Sequence, residues 1–391
     1  MNDTVLAQEI VRRLRLVLGT AGGPVALHEP WFQGREQEYV AECITTGWVS
    51  SVGRFVDRFE QDLALYTGAG KAVALVNGTC ALQLALQLVG VRRDDEVLLP
   101  SLTFVATANA VAHLGAIPHF VDAEDRTLGM SPDALEERLS AIAAGSGEAC
   151  VNRETGRRIA AVLPMHAFGH PAQIDRLLEV AQRYQLPVVE DAAESLGSTY
   201  RRRHTGLWGR LGVLSFNGNK AVTTGGGGAI VTNDLALAQR AKHLSTTAKQ
   251  PHPWAFYHDE TGYNFRMPNL NAALGCAQLE SLPMILGRKR RLAEAYEATL
   301  AGLDEVLFVK EPANSRSNYW LCTILLKRRE MALLEAVLQA TRQAGWMTRP
   351  AWNLLHTLPM YQTTPRGDLA ASEGLARGLV SLPSGPQIAV S

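Results

Sequence analysis

The sequence is poor in cysteine, with five cysteines in 391 residues. They are scattered along the chain, odd in number, and no two have the spacing of a CxxC pair. This pattern excludes a disulfide framework and a zinc site built on cysteine pairs. Unpaired cysteines are typical of a reducing compartment. We therefore expect a cytoplasmic protein and no metal site.

The sequence also lacks net charge and long apolar runs. Lysine and arginine number 38, aspartate and glutamate also 38, and the formal net charge is zero. This balance argues against a nucleic-acid or membrane-surface partner. No apolar run approaches the roughly 18 residues that span a bilayer, and early charges at Asp3, Arg12 and Arg13 indicate no signal peptide. With 47% apolar residues, the chain can bury a sizeable core.

Two familiar phosphate-binding motifs are missing. The chain has no GxxxxGK[ST] sequence, and its first strand-to-helix turn is not a GxGxxG turn. That turn reads Asn77-Gly78-Thr79 instead. Backbone N–H groups at a helix N-terminus bind phosphate, and glycine permits close approach, although an ordinary helix cap has the same sequence. A P-loop is therefore excluded, and another phosphate site stays open.

What the sequence does have is a regular alternation of strands and helices from Ala72 onwards. The predicted strands are 72–76, 96–99, 117–121, 159–163, 187–189, 213–216 and 229–232, and the predicted helices are 81–89, 104–114, 132–143 and 173–184. Such alternation implies an α/β fold with a mostly parallel central sheet between helices. The link between the last two strands is too short for a crossover helix, so they should pair antiparallel or not be neighbours.

The two ends of the chain have a different pattern. It predicts helices at 5–18, 270–303 and 330–344, and a strand at 318–326. The last part therefore reads as a smaller α+β unit. We expect an N-terminal helix and arm at 1–30, a large cofactor-binding domain at 31–280 and a small C-terminal domain at 281–391.

One acid and one lysine lie at the predicted strand ends. Asp191 follows an apolar strand, at the edge where open α/β sheets bind ligands, although a helix cap would explain it as well. Lys220 lies in a polar turn before four glycines, not in a basic cluster, although a surface lysine is the ordinary alternative. A partly buried lysine can act as nucleophile and base. Pyridoxal phosphate needs a lysine for its Schiff base and a carboxylate for its pyridinium nitrogen, so the pair indicates that cofactor.

Several segments resemble one enzyme family. They are EDAAES, SFNGNK with TTGGGGAIVT, NGTCALQLAL, SLTFVATANAV and GYNFRMPNLNAALGCAQLE. Together, over about 30–383, they resemble the DegT/StrS-type sugar aminotransferases. The resemblance implies the fold-type-I transferase fold and a pyridoxal phosphate enzyme that aminates nucleotide-linked keto-sugars. EPWFQGREQEYV, TGWVSSVGRFVDRFE and MTRPAWNLLH look most like enzymes for UDP-2-acetamido-4-keto-2,6-dideoxyhexoses.

The resemblance assigns roles by position. Lys220 becomes the Schiff-base lysine, and Asp191 the partner of the pyridinium nitrogen. The remaining cofactor contacts that it implies are Gly78, Thr79 and Ser215 at the phosphate, Phe104 on the ring, Glu194 near the phenolic oxygen, and Asn264. Asn264 matches a residue that reaches the cofactor phosphate of the neighbouring subunit, which implies a homodimer with shared sites.

Glu194 departs from the family pattern, because many members have histidine or glutamine there. A carboxylate beside a phenolate is unfavourable. Three interpretations stay open: Glu194 is protonated, is turned away, or is directed at the substrate.

The implied reaction is a ping-pong transamination. By resemblance the donor is L-glutamate, the cofactor passes through pyridoxamine phosphate, and the acceptor is a sugar ketone at C4, for surface-polysaccharide or glycan precursors. A 3-dehydratase of the same fold is one alternative, although those members carry histidine in place of the lysine. A non-catalytic nucleotide-sugar-binding or regulatory protein is another. The candidate substrate contacts, each with a structural interpretation at least as good, are Trp48, His166, Arg266 and Arg349.

Overall fold

The computed structural model describes residues 2–19, 24–144 and 150–388. The helices in these ranges are α1 Asp3–Leu18, α2 Glu36–Thr46, α3 Arg54–Thr67, α4 Gly78–Leu88, α5 Val105–His113, α6 Pro132–Ile142, α7 Ile174–Arg183, α8 Leu235–Ser245, α9 Asn269–Leu300, α10 Met331–Gln343 and α11 Ala370–Ala376. The strands are β1 Lys71–Leu75, β2 Glu96–Pro100, β3 Ile117–Val121, β4 Ala143–Ala144, β5 Val151–Asn152, β6 Ile159–Val162, β7 Val189–Asp191, β8 Thr199–Tyr200, β9 Arg203–His204, β10 Leu211–Ser215, β11 Gly228–Thr232, β12 Val306–Phe308, β13 Ser315–Arg316, β14 Thr323–Leu326, β15 Arg349–Pro350 and β16 Leu379–Ser381.

The central sheet has the strand order β3-β2-β6-β7-β10-β11-β1. The β2–β3, β2–β6 and β7–β10 pairs are parallel, and parallel bridges at Val162–Val188 and Met165–Asp191 connect β6 to β7. Strand β11 runs antiparallel to both β10 and β1. The predictions of a mostly parallel sheet and of an antiparallel pair formed by its last two strands are therefore confirmed.

Both faces of this sheet are buried under helices. In β1, Val73 and Leu75 pack with α4, α5 and α8, whereas Ala72 and Ala74 pack with α3 and α9 on the opposite face. Side chains that alternate along a strand point to opposite faces. A sheet that is covered on both sides has mainly apolar residues on both of its faces. This explains why its strands read as continuous apolar runs in the sequence.

Helix α9 connects the two parts of the chain. Its first half, including Ala272, Cys276 and Leu282, packs in the core under the central sheet. Its second half, including Leu292 and Tyr296, packs against α1, α10 and the sheet of order β12-β14-β16-β15. The helix therefore crosses the expected domain boundary at residue 280 without a break. The three-part division of the chain stays a prediction.

Two predicted strands differ from the structure. Strand β7 covers Val189–Asp191 and not 187–189, so Glu190 and Asp191 lie within it. Strand β14 starts at Thr323 and not at 318. The backbone N–H groups of residues 318–320 donate to side-chain oxygens and not to a neighbouring strand. The irregular segment before β14 carries Trp320, whose position matters below.

The register of the strands brings the ends of several strands to one edge of the sheet. Asp191 at the end of β7 lies opposite Val213, and Ser215 at the end of β10 lies opposite Gly228. The last residue of β1, Leu75, also lies opposite Gly228.

No helix in the described ranges is long and apolar enough to cross a membrane.

Candidate active site

A cavity of about 620 Å³ opens at this edge of the sheet. Its walls come from both parts of the chain, since α4, β7, β10 and the turn after β10 face residues 320–321 and 349–353. The predicted site residues that line it are Gly78, Thr79, Phe104, Asp191, Glu194, Ser215, Lys220 and Arg349. The tertiary structure therefore brings together eight of the twelve predicted residues.

Asp191 is the buried acid of the site. Thr107 Oγ1 donates to Asp191 Oδ2 at 2.8 Å, and the backbone N–H of Ala193 donates to Oδ1 at 3.2 Å. Burial raises the pKa of Asp191, and the two hydrogen bonds and the charge of Lys220 oppose that rise. Each carboxylate oxygen can accept a further hydrogen bond. Asp191 is therefore equipped to pair with a cationic N–H group in the cavity.

The N-terminus of α4 forms a cradle for an anion. The first amide groups of a helix have no acceptor within the helix, and Asn77 Oδ1 accepts the one from Cys80 at 2.8 Å. The amides of Gly78 and Thr79 belong to the same turn, at the cavity wall. A Cβ at Gly78 would lie 3.1 Å from Ser215 Cβ, so any side chain there would require Ser215 to shift. These groups suit a phosphate.

Lys220 has its amine enclosed between two groups. Its Nζ donates to Glu194 Oε1 at 3.2 Å and lies 3.7 Å from the centroid of the Trp320 ring. Trp320 Nε1 in turn donates to the backbone oxygen of Asn219 at 2.7 Å. The side chain of Lys220 is only 13% exposed. The amine therefore faces the cavity from a fixed position.

Glu194 is not turned away from the site. It is 3% exposed, and the backbone N–H of Phe168 donates to its Oε2 at 2.8 Å. Burial raises the pKa of Glu194 to about 7, although the charge of Lys220 and the Phe168 bond act to lower it. Of the three interpretations left open above, the structure removes one, because the carboxyl group faces Lys220.

Four predicted site residues do not line this cavity. His166 is fully buried: its Nε2 lies 2.9 Å from Glu190 Oε2, and Ala172 N–H donates to its Nδ1. Both nitrogens are used inside the protein, so the prediction of a substrate contact is wrong for His166.

The other three lie elsewhere on the chain. Trp48 is 58% exposed near Cys43 and Asn269, and Arg266 Nε donates to Asn264 Oδ1 at 2.9 Å on the exposed side of its loop. Neither Trp48 nor Arg266 lines the cavity of its own chain, so the structure shows no route by which either would contact a substrate there.

The sequence analysis missed several residues of the cavity. Trp320 is one of them, and Thr107, which does not line the cavity but donates to Asp191, was missed as well; no local pattern distinguishes either from a core residue. Phe168 and Trp352 are stacked at 4.7 Å between ring centroids, with planes 2° apart, and both line the cavity. His28 also lines it, and neither of its buried ring nitrogens has a hydrogen-bond partner among the described residues. Its position between Leu27 and Glu29 in the sequence offers no signal.

The residues of the cavity fit pyridoxal phosphate. Asp191 would hold the pyridinium nitrogen, the α4 N-terminus with Ser215 would hold the phosphate, and Lys220 would supply the imine nitrogen. Phe104 is 50% exposed at the cavity, which suits an aromatic side chain that covers a planar ring. Such a set of donors on the C-terminal edge of an α/β sheet defines a class, the pyridoxal phosphate-dependent enzymes of fold type I.

Comparison with known proteins gives the family. The model of the DegT/DnrJ/EryC1/StrS aminotransferase family matches residues 31–390, and the chain belongs to this family. The family resemblance noted in the sequence is thereby confirmed. The chain is a pyridoxal phosphate-dependent sugar-nucleotide aminotransferase.

Individual relatives agree with this assignment. The chain is 36% identical to a GDP-perosamine synthase of Caulobacter vibrioides over 361 residues, 92% of this chain and 93% of that one. It is 34% identical to the GDP-perosamine synthase of Escherichia coli O157:H7 over 364 residues, 93% and 94% of the two chains. Among solved structures, the aminotransferase TlmJ of Streptoalloteichus hindustanus is similar with a TM-score of 0.83 and 29% identity, covering 93% of this chain and 94% of that one.

Proposed function

We propose that this aminotransferase moves the amino group of L-glutamate to the C4 ketone of a UDP-2-acetamido-4-keto-2,6-dideoxyhexose. The product is a nucleotide-linked aminosugar for surface-polysaccharide or glycan synthesis. The supporting observation is the position of residues 349–353, which form one wall of the cavity. They belong to MTRPAWNLLH, one of the segments on which the resemblance to enzymes for these sugars rests.

The chemistry divides between the cofactor and the chain. Bound pyridoxal phosphate supplies an electron sink for the negative charge that develops at the donor α-carbon. Lys220 Nζ is the group that takes the proton from that carbon and returns one to the sugar carbon in the second half of the reaction. Asp191 keeps the pyridine nitrogen protonated from its buried position. Trp320, which is 5% exposed and lies against Nζ, limits the access of water to the amine.

The substrate would enter between the two parts of the chain. Arg349 is the cationic side chain at this wall and suits the diphosphate of a nucleotide sugar. The stacked rings of Phe168 and Trp352 offer a flat apolar surface for the deoxy face of a sugar. We assign these three residues to substrate binding.

We further propose that the enzyme is a homodimer in which Asn264 completes the partner's site. Asn264 does not line the cavity of its own chain. It forms part of an exposed loop that also carries Trp254 and Phe256, each 81% exposed, which suits burial against a second copy.

The five free cysteines agree with a reducing, cytoplasmic location.

A substrate panel tests the proposal. Purified enzyme with L-glutamate is offered 4-keto-6-deoxy sugars that are linked to UDP, GDP or dTDP, and the aminosugar is measured by mass spectrometry. We expect the UDP-linked 2-acetamido sugar to have the highest kcat/KM. A higher value for a GDP- or dTDP-linked sugar would overturn the substrate assignment and keep the reaction. A Lys220→Ala variant controls for transfer without the enzyme amine.

A further inference from the structure

The free amine of Lys220 has two partners that come from different parts of the chain. Glu194 Oε1 lies 3.2 Å from Nζ, and the Trp320 ring centroid lies 3.7 Å from it. Glu194 follows β7, whereas Trp320 lies in the segment before β14. An ammonium group is attracted to an aromatic face and to a carboxylate, and both attractions strengthen when water is excluded. The two groups therefore form one binding place for a cation.

The carboxyl group of Glu194 is held in position before it meets the lysine. The backbone N–H of Phe168 donates to Glu194 Oε2, which leaves Oε1 for Lys220. Phe168 has a φ of 56°, a left-handed conformation that is uncommon for a bulky residue. Asn318 Nδ2 donates to the backbone oxygen of Glu194 at 2.9 Å. Backbone strain and a buried amide thus both fix where this carboxyl group points.

Trp320 is fixed in the same manner. Its backbone N–H donates to Asn318 Oδ1 at 2.7 Å, and its backbone oxygen accepts from the buried amine of Lys289 at 3.1 Å. Its indole N–H donates to Asn219 O at 2.7 Å, one residue before Lys220. The ring is 5% exposed. The indole face therefore cannot move away from Lys220 without breaking these bonds.

We propose that Glu194 and Trp320 form a receiving site for the displaced side chain of Lys220, which holds its ammonium form between proton transfers while the amine is not bonded to the cofactor. Glu194 also takes a proton from Nζ and returns it. The N–H bond breaks, its electron pair stays on nitrogen as the lone pair, and an O–H bond forms at Glu194 Oε1. The inference rests on the proposed role of Lys220 and extends it, since it names where the displaced amine goes.

Two charged side chains face Glu194. Lys220 lowers the pKa of this carboxyl group, and Asp191 on β7 acts to raise it. With burial as the largest effect, the pKa of Glu194 is about 7. A carboxyl group with a pKa near neutral accepts a proton from a neighbouring ammonium more readily than an ordinary glutamate does.

The test measures the reactivity of Lys220 in the full-length chain after removal of the cofactor. Acylation of Lys220 by a water-soluble amine reagent is followed by peptide mass spectrometry across a series of pH values. In Glu194→Gln, which keeps the shape and the acceptor for Phe168, the ammonium loses its anionic partner. We expect the pH midpoint of acylation to fall by about one unit, a tenfold faster reaction at neutral pH. An unchanged midpoint would overturn the role of Glu194.

A matched pair of variants isolates the ring of Trp320. Trp320→Phe loses the bond to Asn219 and keeps an aromatic face, whereas Trp320→Leu loses both. We expect Lys220 to react about threefold faster in Trp320→Leu than in Trp320→Phe at neutral pH, because only the phenylalanine variant retains the cation–π contact. Equal rates would overturn the role of the ring. A failure to aminate any sugar would refute the proposed function and leave these midpoints unaffected, so the two failures are distinguishable.

Discussion

Thr107 and Asp191 are 84 residues apart in the sequence and are joined by a hydrogen bond of 2.8 Å between Thr107 Oγ1 and Asp191 Oδ2. Thr107 lies in the first turn of α5, and Asp191 ends β7. The bond stabilises the charged form of a carboxylate that is almost fully buried. Through this bond α5 supports the residue that is expected to hold the cofactor ring.

We predict that Thr107→Val weakens cofactor binding. The variant keeps the shape of the side chain and removes the donor, and a hydrogen bond to a charged group contributes about 1.5–3 kcal/mol. The Kd of pyridoxal phosphate should therefore rise about tenfold or more, as measured by titration of the cofactor-free protein. Thr107→Ser retains the hydroxyl and serves as the control. Equal Kd values for the valine and serine variants would contradict the prediction.

Gly78→Ala should weaken cofactor binding through a steric effect. The added Cβ would lie 3.1 Å from Ser215 Cβ and 3.3 Å from Ser215 Oγ, at the cradle expected to hold the phosphate. Overpacking of this kind costs about 1–3 kcal/mol, which corresponds to roughly a tenfold rise in Kd. Gly226→Ala is the matched control, because a Cβ there meets nothing within 4 Å. A normal Kd for Gly78→Ala would show that the cradle has room to adjust.

Glu190 makes the fold sensitive to acid. Its carboxylate accepts hydrogen bonds from the amides of Gly206, Trp208 and Gly209 and from His166. Burial alone would raise the pKa of Glu190. The pKa is nevertheless below its ordinary value, because of the hydrogen bond and charge of His166 and the hydrogen bonds from backbone N–H groups. A carboxyl group with a lowered pKa stabilises the fold above its unfolded pKa, and this contribution is lost as the pH falls through the folded value.

We therefore predict that Glu190→Gln lowers the free energy of unfolding by about 2 kcal/mol near neutral pH. The difference from the unsubstituted protein should shrink as the pH falls below the ordinary glutamate pKa and through the lowered pKa of Glu190. Urea unfolding at a series of pH values measures both effects. Glu137→Gln, at an exposed position, is the control and should change little. A pH-independent difference would refute the electrostatic explanation.

Asn264 and Lys220 allow a test of shared sites. We expect Asn264→Ala and Lys220→Ala to be poorly active when each is expressed alone. Coexpression of both with different affinity tags should restore activity in the purified mixed dimer, because one site then has Lys220 from one chain and Asn264 from the other. If Asn264 acted in its own chain, neither site of the mixed dimer would be intact. Activity of the doubly tagged fraction decides between the two arrangements.

The sequence by itself determined the sheet and the two central residues of the site. Strands covered on both faces are mostly apolar, so their positions could be predicted within about two residues, as could the strand end that carries Asp191 and the turn that carries Lys220. The short link before β11 left either an antiparallel pair with β10 or no pairing, and the structure has the antiparallel pair. These features depend on local sequence, and local sequence was sufficient to predict them.

Only the tertiary structure decided which other side chains reach the cavity. Trp320 lies 101 residues from Asn219, to which its indole bonds, and nothing near either residue indicates that contact. His166 was wrongly assigned because a polar residue in a buried segment can face either a ligand or a buried partner. Here the partner is the carboxylate of Glu190. Such contacts form when α9 and the segment before β14 pack against the central sheet. The spacing of residues along the chain carries no information about distances that are set by packing between remote elements.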